Sequence, residues 1–91
     1  MEEYRKINHP YFVDKTFEIS NLGNVKNIKT GNTRTQYKGK VAIKGGDIFS
    51  VGRLVALTFL AEDPNVDYSK KRVRHLDKNL CNNRVENLQW M

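Results

Sequence analysis

The run of residues 72–90 constrains the fold more than any other part of the chain. A short β-like segment ends at His75, an Asp-Lys-Asn turn follows at residues 77–79, and paired asparagines stand at 82 and 83. Asn87 then opens a second apolar segment that closes with Trp90. Short Asp and Asn side chains satisfy backbone groups in tight turns, so the pattern predicts a β hairpin whose loop is tied by its own side chains.

This stretch resembles the HNH motif of phage and group I intron homing endonucleases, which reads roughly (Asp/Asn)-His-x-Asp-Gly-(Asn/Asp)-x-x-Asn-Asn-x-x-x-Asn-Leu-x-Trp. The positions that fall on the motif are His75, Asp77, Asn79, Asn82, Asn83, Asn87, Leu88 and Trp90. Two further phrases extend the resemblance over most of the chain. Residues 17–26 look like the Tyr-x-(Val/Ile)-Ser-Asn-x-Gly-x-Val module that often precedes HNH domains. Residues 51–60 look like the family's Val-His-Arg-Leu-Val-Ala-x-x-Phe helix, with Gly52 in place of the usual histidine.

The resemblance implies two catalytic residues. His75 matches the general base that takes a proton from the attacking water, and Asn87 matches the asparagine that pins the loop and orients the histidine. In this family a single divalent metal, usually magnesium or manganese, binds the scissile phosphate. The residue before the base is commonly Asp, Asn or His, but here it is Arg74, a fixed cation that cannot coordinate a metal.

The remaining metal ligand normally comes from a helix that follows the Asn-Leu-x-Trp strand, whereas this sequence ends at Met91. We therefore expect both ligand positions to be missing. The resulting predictions are no metal ligand, no cofactor and a loss of cleavage. Magnesium or manganese would be needed only if the chain is an active nuclease.

The charge of the chain favours a polyanionic partner. There are 16 lysine and arginine residues against 10 aspartate and glutamate residues, a net charge of +6, and the pI is about 9.6.

A guanidinium at position 74 would lie near the expected metal position and would bind a DNA phosphate directly. The alternative is that the lysine and arginine residues are ordinary surface charges with no DNA contact. The predicted DNA-binding residues are Lys26, Lys29, Arg34, Lys38, Lys40 and Lys44 in the N-terminal half, Arg53 on the helix, and Lys70, Lys71, Arg72, Arg74, Lys78 and Arg84 around the hairpin.

We predict one α+β domain over residues 1–91. It consists of an N-terminal antiparallel β meander, one central helix and a C-terminal ββ hairpin of a ββα-metal (HNH) motif that lacks its last helix. Residues 1–48 form a β-rich basic module, and residues 49–91 form the HNH-like helix plus hairpin. The predicted strands are 17–19, 25–28, 33–37 and 40–44, and the predicted helix covers 50–61 with Ser50 as its cap. The core face of the hairpin should be Val73, Leu76, Val85, Leu88 and Trp90.

Cysteine content and hydropathy indicate the cellular compartment in which we expect the protein. Cys81 is the one cysteine, so an internal disulfide and a zinc knuckle are excluded, and no segment approaches twenty apolar residues. We expect a cytoplasmic protein of a bacterium or a virus-infected host cell, with no membrane partner. Dimerisation is compatible with the sequence but is not required by it.

Three functions fit these observations. The first, which we favour, is a double-stranded DNA-binding protein derived from an HNH homing endonuclease that occupies DNA sites without cleaving them. The second is an active, metal-dependent nicking endonuclease that takes ligands from Asp77, Asn79 or a second subunit. The third is a phage or mobile-element protein that binds and inhibits another protein. Whether the chain is an enzyme is left open.

Overall fold

The computed structural model describes residues 1–13, 16–43 and 46–91, which form three small antiparallel sheets, one α-helix and three 3₁₀ helices (Pro10–Phe12, Tyr68–Lys70 and Val85–Asn87). The strands are β1 (Tyr4–Lys6), β2 (Phe17–Ser20), β3 (Val25–Asn27), β4 (Gln36–Tyr37), β5 (Lys40–Ala42), β6 (Ile48–Ser50), β7 (Val73–His75) and β8 (Leu88–Trp90), and helix α1 is Val51–Phe59. This order confirms the predicted α+β class. The predicted DNA contact at Lys44 lies outside the described residues.

The first sheet has the order β1-β2-β3 and contains the hairpin predicted around Gly23. Gly23 adopts φ +90°, the left-handed conformation that a side chain resists. Buried Ser20 tightens the turn, since its Oγ accepts hydrogen bonds from the backbone N–H groups of Leu22 and Asn24 at 3.2 and 3.1 Å. Strand β1 was not predicted, because its charged, mostly exposed residues carry no apolar pattern.

The second sheet has the order β4-β5-β6. Its strands β4 and β5 are shorter than the strands predicted at 33–37 and 40–44. Thr33 forms only an isolated bridge to Lys26, and the Arg34 N–H donates to the Val25 carbonyl at 2.7 Å. Residues 33 and 34 therefore pair with the first sheet, and β4 is confined to Gln36 and Tyr37. Strand β6, which pairs with β5, was also missing from the prediction.

Helix α1 supplies much of the core that all parts of the chain share. Its buried residues Val51, Leu54, Val55 and Phe59 cluster with apolar side chains of the first and second sheets, among them Ile19, Val25 and Val41. The helix ends two residues before the predicted Ala61, with the Leu60 N–H bonded to the Ala56 carbonyl at 2.8 Å. Ser50 holds the N-cap position, but its side chain makes no capping hydrogen bond, so the predicted capping contact was wrong.

The third sheet is the C-terminal hairpin, in which Val73 pairs with Trp90, Arg74 with Gln89, and His75 with Leu88. Leu88 is buried, and Val73, Val85 and Trp90 are partly buried as predicted. Leu76 is 52% exposed, so its assignment to the core was wrong. The alternation of the strand explains this exposure, because Val73 and His75 face inward whereas Arg74 and Leu76 face outward.

The hairpin is joined to the rest of the fold by its tryptophan. The Trp90 indole Nε1–H donates to the Leu60 carbonyl at the end of α1 at 3.2 Å, and its ring lies 4.9 Å from the ring of Tyr68. The site at the start of the hairpin loop is therefore fixed relative to the helix. Within the described ranges, the structure contains no helix of the length and hydropathy needed to cross a membrane.

Candidate functional site

The loop between β7 and β8, residues 76–87 and called here the His75 loop, is held together by its own polar side chains. The Asn87 amide is at the centre: Oδ1 accepts from the Asp77 N–H at 3.1 Å, and Nδ2 donates to Asp77 Oδ1 at 2.9 Å and to the Asn82 carbonyl at 2.8 Å. Asn79 Oδ1 accepts from the Cys81 N–H at 3.0 Å. The loop is thus a rigid, side-chain-tied turn, as its composition predicted.

Asp77 is the anchor of this network. Its carboxylate accepts from Asn82 Nδ2 and from the Asn79 N–H, both at 2.8 Å, as well as from Asn87. These hydrogen bonds, that of Asn82 first, lower the pKa of the Asp77 carboxyl below its ordinary value. The carboxylate is therefore fully engaged in shaping the loop.

His75 ends β7 and is half-buried against helix α1. Its ring Nε2 lies 2.6 Å from Oδ1 of Asn83, a side chain that is only 3% exposed. The sequence prediction gave Asn87 two tasks, pinning the loop and orienting the histidine. In the structure two different residues make these contacts. The Asn87 side chain forms hydrogen bonds within the loop, whereas the Asn83 side chain contacts the His75 ring. The catalytic roles of His75 and Asn87 stay predictions.

Gly52, the position where the sequence departs from the family's helix phrase, faces this pair directly. A Cβ atom at position 52 would lie 2.8 Å from Asn83 Oδ1 and 2.9 Å from His75 Nε2. Both distances are shorter than the contacts real Cβ atoms show, so the absence of a side chain at 52 is what allows His75 and Asn83 to lie where they do. Sequence reasoning noted the departure but not its link to the histidine.

In ranges 1–13, 16–43 and 46–91 no group of three or more His, Cys, Asp or Glu side chains is arranged to hold a metal ion. Arg74, where the motif commonly has a metal-ligating residue, is exposed, and its guanidinium donates to Oε1 of Gln89 across the hairpin. The Arg74 guanidinium carries only hydrogen-bond donors and a positive charge, so this position suits an anion rather than a cation.

The His75 loop and the basic N-terminal half meet at one point. A Cβ on Gly39 would overlap the backbone carbonyl oxygen of Leu80, which shows how closely the turn between β4 and β5 approaches the loop. The backbone adopts φ +52° at Lys38 and φ +77° at Gly39. Gly39, which lies between Lys38 and Lys40 in the sequence, is thus the point at which this turn meets the His75 loop.

The predicted DNA-binding cations differ in how freely they could reach a ligand. Lys26 and Arg53 are half-buried, Lys44 lies outside the described residues, and the exposed ones are Lys29, Arg34, Lys38, Lys40, Lys70, Lys71, Arg72, Arg74, Lys78 and Arg84.

Several of these cations have structural partners, and those of Arg53, Arg34 and Lys26 lie outside the hairpin and outside the turn between β4 and β5. The Arg53 guanidinium donates to the carbonyls of Lys71 at 2.6 Å, Ser69 at 2.7 Å and Tyr68 at 3.3 Å, and so holds the turn before β7. Arg34 Nη2 donates to the Ala42 carbonyl at 2.8 Å. Lys26 Nζ lies 3.9 Å from Glu18 and 4.1 Å from the centre of the Tyr4 ring. We therefore leave these three out of the proposed DNA surface described below.

A β hairpin with a histidine at the end of its first strand, an asparagine-tied loop and a helix packed behind it defines an HNH-type site. No family model matches the chain. The chain is 39% identical over 84 residues to the uncharacterised HNH endonuclease L247 of Acanthamoeba polyphaga mimivirus, a match that covers 82% of this chain and 20% of that protein. Its fold is similar to that of the HNH homing endonuclease I-HmuI, with a TM-score of 0.72 and 30% identity over 98% of this chain and 52% of the other.

The chain belongs to the HNH endonuclease family. It spans about a fifth of the length of the mimivirus relative and about half of the I-HmuI chain. The activities and partners of those longer proteins are therefore considered below only as proposals for this chain.

Proposed function

We propose that this chain binds double-stranded DNA without cleaving it, through a surface formed by the His75 loop, strand β7 and the turn between β4 and β5. The observation that carries the proposal is Arg74, an exposed guanidinium directly before His75. I-HmuI is an HNH homing endonuclease described in terms of DNA binding and cleavage, which supports DNA as the partner.

Arg74 would contact a phosphate at the site itself. Its planar fork of N–H donors matches phosphate oxygens, and it needs no metal as an intermediary. Gln89, its cross-strand partner, holds the side chain on the exposed face of the hairpin. A fixed positive charge here opposes the binding of a divalent cation through Coulomb repulsion, so affinity is retained while metal-dependent cleavage is lost.

The second sheet contributes the outer part of the surface. Because directly paired residues share a face, Tyr37, Lys40 and Ser50 lie together on the side opposite buried Val41. Tyr37 is 74% exposed, with the Lys38 ammonium 5.3 Å from its ring centre. An exposed aromatic ring among cations suits contact with the backbone and groove of a duplex.

The test is a titration of the protein against supercoiled plasmid and a labelled duplex, in magnesium, in manganese and in EDTA. We expect bound but intact DNA in all three conditions, with an affinity that falls steeply as salt is raised. Metal-dependent nicked circles would refute the absence of cleavage. A lack of salt-sensitive binding would refute the DNA proposal, and the search would turn to a protein partner.

Arg74→Ala separates the proposed contact from general charge. A charge-assisted hydrogen bond contributes about 1.5 kcal/mol, so the affinity should fall roughly tenfold. The slope of log K against log salt should also decrease by about 1. Lys6→Ala, which removes an exposed cation from β1 outside the proposed surface, is the matched control and should change affinity far less. Equal effects of the two substitutions would remove Arg74 from the proposal.

One observation favours the nickase as a second candidate. With Nε2 against Asn83, the other ring nitrogen of His75, Nδ1, has no hydrogen-bond partner among the described residues, as a general base requires. For this candidate, nicking must depend on added metal and must disappear in His75→Ala.

A further inference from the structure

Asn83 combines two properties that are rarely found together. It is 3% exposed, and its Nδ2 has no hydrogen-bond partner within the described part of the chain, although buried polar atoms are nearly always paired. The other end of the same amide is used, since Oδ1 lies 2.6 Å from His75 Nε2. A buried side chain that leaves a donor unpaired in order to keep one contact indicates that this contact matters for the site.

In the orientation that the Asn83 amide has in the structure, the imidazole proton of His75 lies on Nε2. Oδ1 is a carbonyl oxygen and can only accept, so the His75 nitrogen facing it must carry a hydrogen and donate. Turning the amide over would place Nδ2 against a bare Nε2 and leave Oδ1 as the unpaired buried atom instead. Neither orientation satisfies both ends, so Asn83 gains nothing locally beyond its bond to the histidine ring.

Gly52 makes this arrangement possible from the other side. A Cβ at position 52 would lie 2.8 Å from Asn83 Oδ1, 2.9 Å from His75 Nε2 and 3.0 Å from His75 Cε1. All three atoms belong to side chains, so a larger residue at 52 would displace the pair rather than the backbone. A chain with histidine at this position, as in the family's helix phrase, cannot hold His75 and Asn83 in the same places.

We infer that Asn83 and Gly52 are the positioning residues for His75. Gly52 provides the space for the ring, and Asn83 accepts a hydrogen bond from Nε2–H. Nδ1 is left as the ring nitrogen that faces a ligand, whether a water molecule or a phosphate oxygen. The inference does not rest on DNA binding, since it concerns the free protein and is tested on it.

The experiment is NMR spectroscopy of the ¹⁵N-labelled protein near pH 8. The wild type should show a His75 Nε2–H resonance, protected by its hydrogen bond, with nuclear Overhauser contacts to the Gly52 Hα protons. His9 is the internal reference, because its Nδ1 accepts from the Tyr11 N–H at 3.1 Å and its ring is set without Asn83. The Trp90 indole N–H, bonded to the Leu60 carbonyl, reports in the same spectrum that each variant is folded.

Four variants separate positioning from a merely structural role. Asn83→Ala and Gly52→Ala should both lose the His75 resonance while the Trp90 signal remains. Asn83→Asp keeps an acceptor oxygen at the same place and should retain the resonance. Ala56→Gly, four residues further along the same helix, lowers helix stability without adding an atom near the ring and should also retain it.

Each outcome decides the inference. A folded Asn83→Ala protein with an unchanged His75 resonance, or a wild type in which His75 Nε2 carries no hydrogen, would overturn it. If Asn83→Ala does not fold, Gly52→Ala decides: loss of the resonance supports the inference when Ala56→Gly retains it, and retention refutes it.

Discussion

Asn87→Ala should destabilise the protein more than replacement of a loop asparagine that makes a single side-chain hydrogen bond. The side chain makes three hydrogen bonds of 2.8–3.1 Å, two to backbone groups and one to the Asp77 carboxylate. Each is worth roughly 0.5–1.5 kcal/mol net, and water replaces part of the loss because Asp77 is exposed. We therefore expect a loss of about 2 kcal/mol in the free energy of unfolding, and a Tm lower by about 8–16 °C for a domain of this size.

The measurement is urea unfolding followed by Trp90 fluorescence, together with thermal unfolding followed by circular dichroism. Asn79→Ala is the matched control, an asparagine of the same loop whose Oδ1 accepts one hydrogen bond, from Cys81. It should cost about 1 kcal/mol or less. If Asn87→Ala costs no more than Asn79→Ala, then Asn87 does not pin the loop.

Three further predictions concern the loop and its supports. The pKa of the Asp77 carboxyl is lowered, first by Asn82, so its contribution to stability is present above the unfolded value of about 3.9 and is lost as the pH falls through the folded value. Asp77→Asn should therefore show a shallower decline of Tm between about pH 5 and pH 2 than the wild type, and an equally steep decline would contradict this. Gly39→Ala should lower the free energy of unfolding in urea by about 2 kcal/mol or more. Gly31→Ala, at a similar φ of +75° but with no atom within 4 Å of the added Cβ, should lower it only by the backbone strain of about 1 kcal/mol. Equal losses would refute the close approach of Gly39 to the loop. Arg53→Lys should weaken the turn before β7 and speed amide hydrogen exchange there, and unchanged exchange would show that the guanidinium contacts are not needed.

The features that could be predicted from the sequence are those that local chemistry determines. The left-handed turn at Gly23, the helix starting at residue 51 and the side-chain-tied loop at Asp77 and Asn79 each depend on residues a few positions apart. In each case, one residue type at one position suffices to favour the local structure. The family resemblance then placed these elements in the correct order.

The features that were missed depend on contacts between distant segments. Strand β1 exists because Arg5 pairs with Ile19, and β4 is short because the Arg34 N–H donates to Val25. The role of Arg53 in holding the turn before β7 depends on carbonyl groups 15 to 18 residues away. None of these partners can be identified from the spacing of apolar residues.

The contact between Asn83 and His75 lies between these two cases. The residues are only eight positions apart, but several loop asparagines were equally plausible partners for the histidine. The one signal that distinguishes them is Gly52, since a helix position without a side chain leaves space for a neighbouring ring. Reading that departure as room for His75 would have indicated that the histidine packs against the helix.

The structure separates the framework of the site from its chemistry. Asn87 and Asp77 tie the loop, while Asn83 and Gly52 hold the His75 ring; none of these contacts involves Arg74, whose guanidinium pairs with Gln89 on the exposed face of the hairpin. The residue at position 74 can therefore change between a metal ligand and a cation without disturbing the loop. For this reason a well-formed HNH framework is not in itself evidence of cleavage, and among the described residues the charge at position 74 is the feature that supports the proposed loss of cleavage. Arg74→Asp tests this feature, because it places a carboxylate beside an intact His75. Metal-dependent nicking in the presence of manganese would show that the charge at position 74 blocks cleavage, whereas intact DNA would show that the second expected ligand is also required.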